Sequence, residues 1–388
     1  MPELTQKKIL VTSLSMSMAH VVRPLEIAKI LREMGYRVIF TGSGKAVQLA
    51  QQAGFELKHL PDWNMKEILS KLKAGSKDIH TVEEIELWIQ AELELFDEIK
   101  PTAILDDARL TSDISTRIAG IPRISIHNAY ANPRAIRGLM DPTLQAPNSL
   151  IDSLDIANYN KVRQDYKIPP ISNLSEMFEA DLILLCDVPE YAPMHTVRNH
   201  YHYVGPLIWG RDLSKPTWLG ELDPDKPTIY YTMGSTGPPQ AFRTAIDIFG
   251  GSEFQVLMTL GSLVKKEDLG TIPPGFFVST YASGDTLATR SDIIVCHGGN
   301  GTAYQALFSG NPIVSWPSLK DQCWNARRLS ELGVGVTIKA PDEMRAAVDQ
   351  VLKDPSYRNK AQYFSKILAI YDGPKNAAIL IHNFMERL

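Results

Sequence analysis

One stretch, Ser291–Gly335, constrains this chain more than any other: SDIIVCHGGNGTAYQALFSGNPIVSWPSLKDQCWNARRLSELGVG. The apolar run Ile293–Cys296 predicts a buried parallel strand. His297-Gly298-Gly299-Asn300-Gly301-Thr302 follows, and from Thr302 the spacing of Ala303, Ala306 and Leu307 predicts one face of a helix. A glycine-rich turn between a strand and a helix N-terminus is an anion site. Glycines let the backbone approach closely, free N–H groups point outward, and the helix dipole favours negative charge. Gly310-Asn311-Pro312 stop the helix, and a second apolar strand, Ile313–Trp316, leads to Asp321-Gln322-Cys323-Trp324-Asn325. In open α/β sheets, ligand groups gather at the carboxyl ends of strands. Two adjacent strand ends therefore offer a phosphate cradle and, beside it, an acid–amide pair suited to sugar hydroxyls.

The rest of the chain repeats the strand–loop–helix theme. Lys8–Ser13 predicts a strand, Pro24–Met34 a helix after a polar loop, and Arg37–Phe40 a second strand. Pro101–Asp107 is a strand ending in two acids, followed by a helix from Ser112 and a strand Arg123–Ile126. Thr228–Thr232 opens the second half and runs into Met233-Gly234-Ser235-Thr236-Gly237. A length of 388 residues favours two or three domains. No G-x-G-x-x-G occurs at the strand–helix turns, which argues against a nicotinamide dehydrogenase. Phe40–Lys45 is not a P-loop, because the glycine spacing is wrong and Ala46 follows the lysine. A net charge of −4 carries no basic footprint for nucleic acid. Cys186, Cys296 and Cys323 lie far apart without metal spacing, a pattern that fits a reducing cytoplasm. The N-terminus lacks a signal-peptide core, and no apolar run reaches membrane-spanning length.

HGGNGT, then GNP, then P-x-x-x-DQ, then NA and G-x-G resembles the donor-binding signature of the family 1, UDP-glycosyltransferase-like enzymes. The likeness covers about 45 residues with the internal order intact. It implies a GT-B fold: two Rossmann-like, doubly wound α/β domains facing a central cleft. The domains expected are 1–205 for the acceptor, a linker over 206–227, 228–371 for the nucleotide sugar, and a helix over 372–388 crossing back to the first domain. The resemblance gives His297, Gly299, Asn300, Gly301 and Thr302 to the donor diphosphate, and Asp321 and Gln322 to the donor sugar. Gly234 and Ser235 would sit against the phosphates, and Tyr281 and Ala282 at the nucleobase. The family usually has Glu eight residues after the histidine to grip the ribose; here that residue is Gln305, which can accept a hydrogen bond but carries no charge.

In the first half the resemblance makes His20 the catalytic base, although Pro24 follows it by four residues where three is usual. A sugar nucleotide already carries a good leaving group, so an acceptor hydroxyl must lose its proton as it attacks. Imidazole suits that task at neutral pH; the plainer alternative is a loop histidine facing solvent or bonded to backbone. An acid should orient the base, Asp107 first and Asp106 second; only one can face the site, because adjacent strand residues point opposite ways. The alternative is that both cap the next helix. His127 and Asn128 follow the next strand as acceptor contacts, or His127 satisfies a backbone group. The long proline-bearing stretch 132–153 is assigned to the acceptor pocket. Val82–Ile99 carries an apolar stripe that either packs on the sheet or walls that pocket.

The resemblance implies an inverting transfer of a hexose from a nucleoside-diphosphate sugar, UDP or dTDP, to a hydroxyl of a small-molecule, natural-product or lipid acceptor. No cofactor and no metal are expected, and a lipid acceptor would imply peripheral membrane contact. Two rivals stand beside it: a nucleotide-sugar epimerase or hydrolase on the same fold, and a non-catalytic helper that keeps a donor-like site.

Overall fold

The computed structural model describes residues 6–64, 67, 68, 70, 71, 74, 76, 79–132, 134, 156–211, 213–261 and 263–388. The chain forms two compact α/β units. The first holds the described residues up to Arg134, then 156–207 and 372–388; the second holds 208–371.

The first unit is built on a parallel sheet in the order β3-β2-β1-β4-β5-β6-β7. Its strands are β1 (Lys8–Ser13), β2 (Arg37–Thr41), β3 (Glu56–Lys58), β4 (Ala103–Asp107), β5 (Arg123–His127), β6 (Leu182–Leu185) and β7 (Tyr201–Tyr203). Side chains alternate across the pleat. Ile9, Val11, Val38, Phe40, Ala103 and Leu105 pack on one face, with Leu25, Ala28 and Leu31 of α1 (Met18–Glu33). Leu10, Ile39 and Ile104 pack on the other, beneath Phe96 and Ile99 of α2 (Val82–Ile99). The apolar stripe of α2 is therefore core: its first half, with Ile85, Trp88 and Ile89, buries against Ile114, Tyr159 and Phe178. Thr81 and Glu84 close a reciprocal cap at its start.

The start of α1 differs from the sequence expectation. The helix begins at Met18, and Pro24 lies inside it. Pro24, expected as the first helical residue, where proline is favoured, sits instead in the second turn, where its missing N–H leaves one hydrogen bond to the preceding turn unmade. His20 is therefore on the first turn of a helix, not in a loop, and Arg23 is turned inward with 8% of its surface exposed.

The C-terminal helix Gly373–Met385 belongs to this unit. Ala377, Ala378, Ile381 and Met385 join the core that holds α1. Tyr36 Oη lies 2.7 Å from His382 Nδ1, and Asn376 Nδ2 donates to the Val204 carbonyl at 3.0 Å.

The second unit has a parallel sheet in the order β10-β9-β8-β11-β12-β13. Its strands are β8 (Thr228–Thr232), β9 (Gln255–Thr259), β10 (Phe276–Ser279), β11 (Ile293–Cys296), β12 (Ile313–Ser315) and β13 (Gly335–Thr337). Within the stretch expected as a linker, 206–227, two residues pack on this sheet. Trp218 stacks near Phe277 with ring centroids 5.4 Å apart and donates its Nε1–H to Ser279 Oγ at 3.2 Å. Asp223 and Gln255 exchange two hydrogen bonds of 2.8 Å. Partly covering an indole and pairing backbone groups is more stable than leaving them in a free connector. Among the described residues, no helix is long and apolar enough to cross a membrane.

Candidate active site

In the first unit, the ends of β1 and β4 and the first turn of α1 meet. The register sets Thr12 opposite Asp106 and Ser13 opposite Asp107. Alternation then sends the two acids to opposite faces. Asp107 turns to α1, is fully buried, and lies 2.7 Å from His20 Nδ1. Its other partners are Arg23 Nε at 2.8 Å and Arg23 Nη2 at 2.5 Å. Asp106 turns away, accepting from Thr12 Oγ1, the Arg109 N–H and Arg123. Burial pushes its carboxyl up to about 7, opposed by Arg123 and reinforced by the charges of Asp107 and Glu92. Of the two acids, Asp107 is the one that touches His20. The His20 side chain keeps 27% of its surface exposed while Asp107 keeps none. The imidazole is thus anchored from inside and open outside.

Arg23 is the residue that sequence reasoning missed. Burial works against its charge, but the contacting Asp107 carboxylate overcomes this and holds the guanidinium firmly protonated. Its Nη1 donates to Asn128 Oδ1 at 2.8 Å and to Cys186 Sγ at 3.2 Å. The available signal was spacing: once α1 starts at Met18, His20 and Arg23 are three apart on one helix face.

His127 and Asn128, expected at the acceptor, are used by the protein itself. His127 ends β5, is 3% exposed, and has its ring near Phe178, centroids 5.4 Å apart. Its Nε2 lies 3.1 Å from Asn132 Nδ2 and its Nδ1 3.3 Å from Ser125 Oγ. Burial, helped by Arg23, lowers its pKa to about 3, so the ring is neutral. Asn128 accepts from Arg23 and donates to Asp187 at 3.3 Å, while the Ala129 N–H donates to Asp187 at 2.7 Å. Neighbouring side chains thus cover both residues at this strand end. The assignment of 132–153 to an acceptor pocket lies, beyond Asn132 and Arg134, outside the described residues.

In the second unit, β8 and β11 each end in a glycine loop. β11 leads through His297-Gly298-Gly299 into α3 (Asn300–Ser309), which Gly299 caps. The His297 ring is held between two glycines. A Cβ on Gly234 would lie 2.4 Å from its Cε1, and one on Gly299 2.3 Å from its Nε2. Gly234 also has φ +58°, a conformation side chains disfavour. Burial lowers the His297 pKa to about 4, so the ring is neutral, and its Nδ1 has no partner among the described residues. Asn300 and Thr302 are half-buried and Gly301 exposed in the first turn of α3, where the positive end of the helix dipole lies. Ser235 is half-buried beside Gly234.

Gln305 lies one turn further along α3. Its amide is pressed against Gly284, where a Cβ would stand 2.4 Å from Nε2. Tyr281 is 48% exposed and meets Trp209 edge-on, ring centroids 6.5 Å apart; Ala282 is half-buried. The acid–amide pair splits. Asp321 is exposed in the first turn of α4 (Lys320–Glu331). Gln322 is fully buried: its Oε1 accepts from Ser318 N at 2.9 Å, Ser318 Oγ at 3.1 Å and Leu319 N at 3.1 Å. Its Nε2 donates to Thr236 Oγ1 at 3.0 Å, tying α4 to the loop that carries Gly234 and Ser235. Gln322, expected at the sugar hydroxyls, therefore has both ends of its amide bonded within the protein, where it ties the cradle together.

A family model described as "Erythromycin biosynthesis protein CIII-like, C-terminal domain" matches residues 246–378. A PGL/p-HBAD biosynthesis glycosyltransferase of Mycobacterium tuberculosis (strain ATCC 25177 / H37Ra) is 29% identical over 382 residues, covering 93% of this chain and 88% of that protein. A PGL/p-HBAD biosynthesis rhamnosyltransferase of Mycobacterium bovis (strain BCG / Pasteur 1173P2) is 28% identical over 377 residues, covering 92% and 83%. Among solved structures, the calicheamicin glycosyltransferase CalG4 superposes with a TM-score of 0.77 at 19% identity, covering 99% of this chain and 100% of that one. The spinosyn rhamnosyltransferase SpnG complexed with thymidine diphosphate gives 0.73 at 16% identity, covering 98% and 100%.

Proposed function

The chain belongs to the family 1 glycosyltransferases of the GT-B fold and is a sugar-transferring enzyme, and from that premise we propose that it inverts the anomeric carbon, with His20 as its general base. The donor is a nucleoside-diphosphate hexose, with UDP or dTDP as the nucleotide; the thymidine diphosphate bound to the spinosyn enzyme supports dTDP. The acceptor is a hydroxyl of a small molecule, natural product or lipid, in keeping with the biosynthetic names of the relatives.

The observation that carries this reading is the 2.7 Å contact between His20 Nδ1 and buried Asp107, with the imidazole part-exposed. Asp107 holds the proton on Nδ1, which leaves the Nε2 lone pair to accept one. As the acceptor oxygen bonds to the anomeric carbon, its proton passes to Nε2 and the bond from that carbon to the diphosphate breaks. The departing charge is met by the N-terminal end of α3 and by His297 as a neutral donor. Gly234, Ser235, Gly299, Asn300, Gly301 and Thr302 line the diphosphate, Tyr281 and Ala282 take the base, Gln305 the ribose, and Asp321 the sugar. No metal is required for this charge balance.

The test is His20→Ala. Transfer should fall by about 10²–10⁴-fold, the usual worth of a general base, while calorimetric binding of the nucleoside diphosphate stays unchanged. Full activity in that variant sinks the base assignment. Nucleotide binding without turnover in the parent, whatever the acceptor, would favour the helper reading instead.

A further inference from the structure

Arg23 takes no proton and meets no substrate in this scheme, yet its side chain is the hub of the His20–Asp107 pair. Its Nε and Nη2 donate to the two carboxylate oxygens of Asp107, at 2.8 and 2.5 Å, as a two-point fork. The other arm, Nη1, is tied to Asn128 and Cys186. Asp107 Oδ1 thus receives N–H groups from both His20 and Arg23, and it cannot rotate without losing one of them. Arg23 Nη2 also stands 3.0 Å from His20 Nδ1.

This changes the electrostatics of the dyad. An Asp–His pair alone gains a full ion pair when the ring takes a second proton. Here a guanidinium has already neutralised the carboxylate and lies against the ring. The other titratable groups nearby are Cys186, a thiol that burial pushes up to about 12, and Tyr130, which acts on Arg23. His127 is neutral, Asp187 is reached through Asn128, and Asp106 faces the opposite side of β4. Asp107 and Arg23 are therefore the charges in direct contact with His20.

We infer that Arg23 is the positioning residue of this dyad: it clamps Asp107 so that His20 presents Nε2, and its charge opposes protonation of the ring. The inference rests on the reading of His20 as the base. Its test compares Arg23→Met and Arg23→Lys with the parent by the pH profile of kcat/KM and by nitrogen-15 NMR titration of His20 in the enzyme without substrate. In Arg23→Met, both the acid limb and the His20 titration should move upward by about 1 pH unit or more, the effect of removing a contacting charge. kcat should fall about tenfold or more, with donor KM unchanged. Arg23→Lys keeps the charge and loses the fork, so its acid limb should hold while kcat falls. A His20 titration that does not move in Arg23→Met overturns the inference. If that variant fails to fold, Arg23→Lys decides: unchanged kcat overturns the clamp, and reduced kcat with a fixed limb supports it. Failure of the base reading is told apart by His20→Ala activity, because the NMR titration reports the Arg23–His20 coupling whether or not His20 is the base.

Discussion

The two units use one device, a strand running through a loop into a helix, and load it with opposite chemistry. At the ends of β1, β4, β5 and β6 in the first unit, the buried groups are ions and their partners: Arg23, Asp107, Asn128 and Asp187. At the ends of β8 and β11 in the second, they are neutral: a buried uncharged imidazole, glycines on either side of it, and an amide. A buried ion is tolerable only when paired and hydrogen-bonded, so the first site depends on each partner's charge. A neutral cradle depends on volume instead, because the close approach of backbone to ring leaves no room for a Cβ. The difference suits the proposed roles. Proton transfer needs fixed charges around the base, and receiving a diphosphate needs outward N–H groups and space.

The sharpest way to break this contrast is to remove one charge. Asp107→Ala leaves Arg23 buried without its counter-ion and should lower unfolding stability by about 3–5 kcal/mol, beyond abolishing transfer. His297→Ala should cost far less in the same denaturant experiment, since no charge is stranded. Equal losses would erase the distinction. Next in size is Gly234→Ala, where the new Cβ meets the His297 ring and φ is positive. Left-handed strain of about 1–2 kcal/mol is expected, with nucleoside diphosphate affinity falling about tenfold or more in calorimetry; unchanged affinity would show that the ring–glycine packing is irrelevant to the donor.

Proton linkage separates the sites more finely. His297 and His127 titrate near about 4 and about 3 when folded and near 6.5 when unfolded. Between these values the unfolded chain binds more protons, so stability falls as pH falls below 6.5, by up to about 1.4 kcal/mol per pH unit for each ring. His297→Ala should shallow that slope. The ratio of parent to His297→Ala nucleotide affinity should stay flat from about pH 6 to 8, as for a neutral donor; a ratio that drops as pH rises would mark His297 as a cation. The smallest expected effect is that of chelation: EDTA should leave turnover unchanged, and a loss restored by a divalent cation would overturn the metal-free charge balance.

Much of the fold was legible because its signals are local. Lys8–Ser13, Thr228–Thr232 and Ile293–Cys296 read as strands from short apolar runs bounded by turns, and each has those bounds in the structure. The C-terminal helix, expected over 372–388, spans Gly373–Met385. The start of α1 was misread because proline is favoured at a helix start, whereas the turn before Pro24 is held by the packing of Val21, Val22 and Arg23. His127, Asn128 and Gln322 were expected to face a ligand because polar residues at strand ends and helix starts commonly do. Each meets a partner distant in sequence that no local pattern announces: Phe178, Arg23 and Thr236.

By itself the sequence determined the repeated strand–loop–helix units and the glycine loop at the head of α3, because periodicity, turn chemistry and backbone freedom act between near neighbours; their gathering into two sheets was what the family resemblance implied. Only the tertiary structure decided that Asp107 rather than Asp106 meets His20, that Arg23 joins them, and that Gln322 turns inward. Those outcomes depend on which way a side chain points across a pleat and which remote group lies within 3 Å of it, and packing alone sets both.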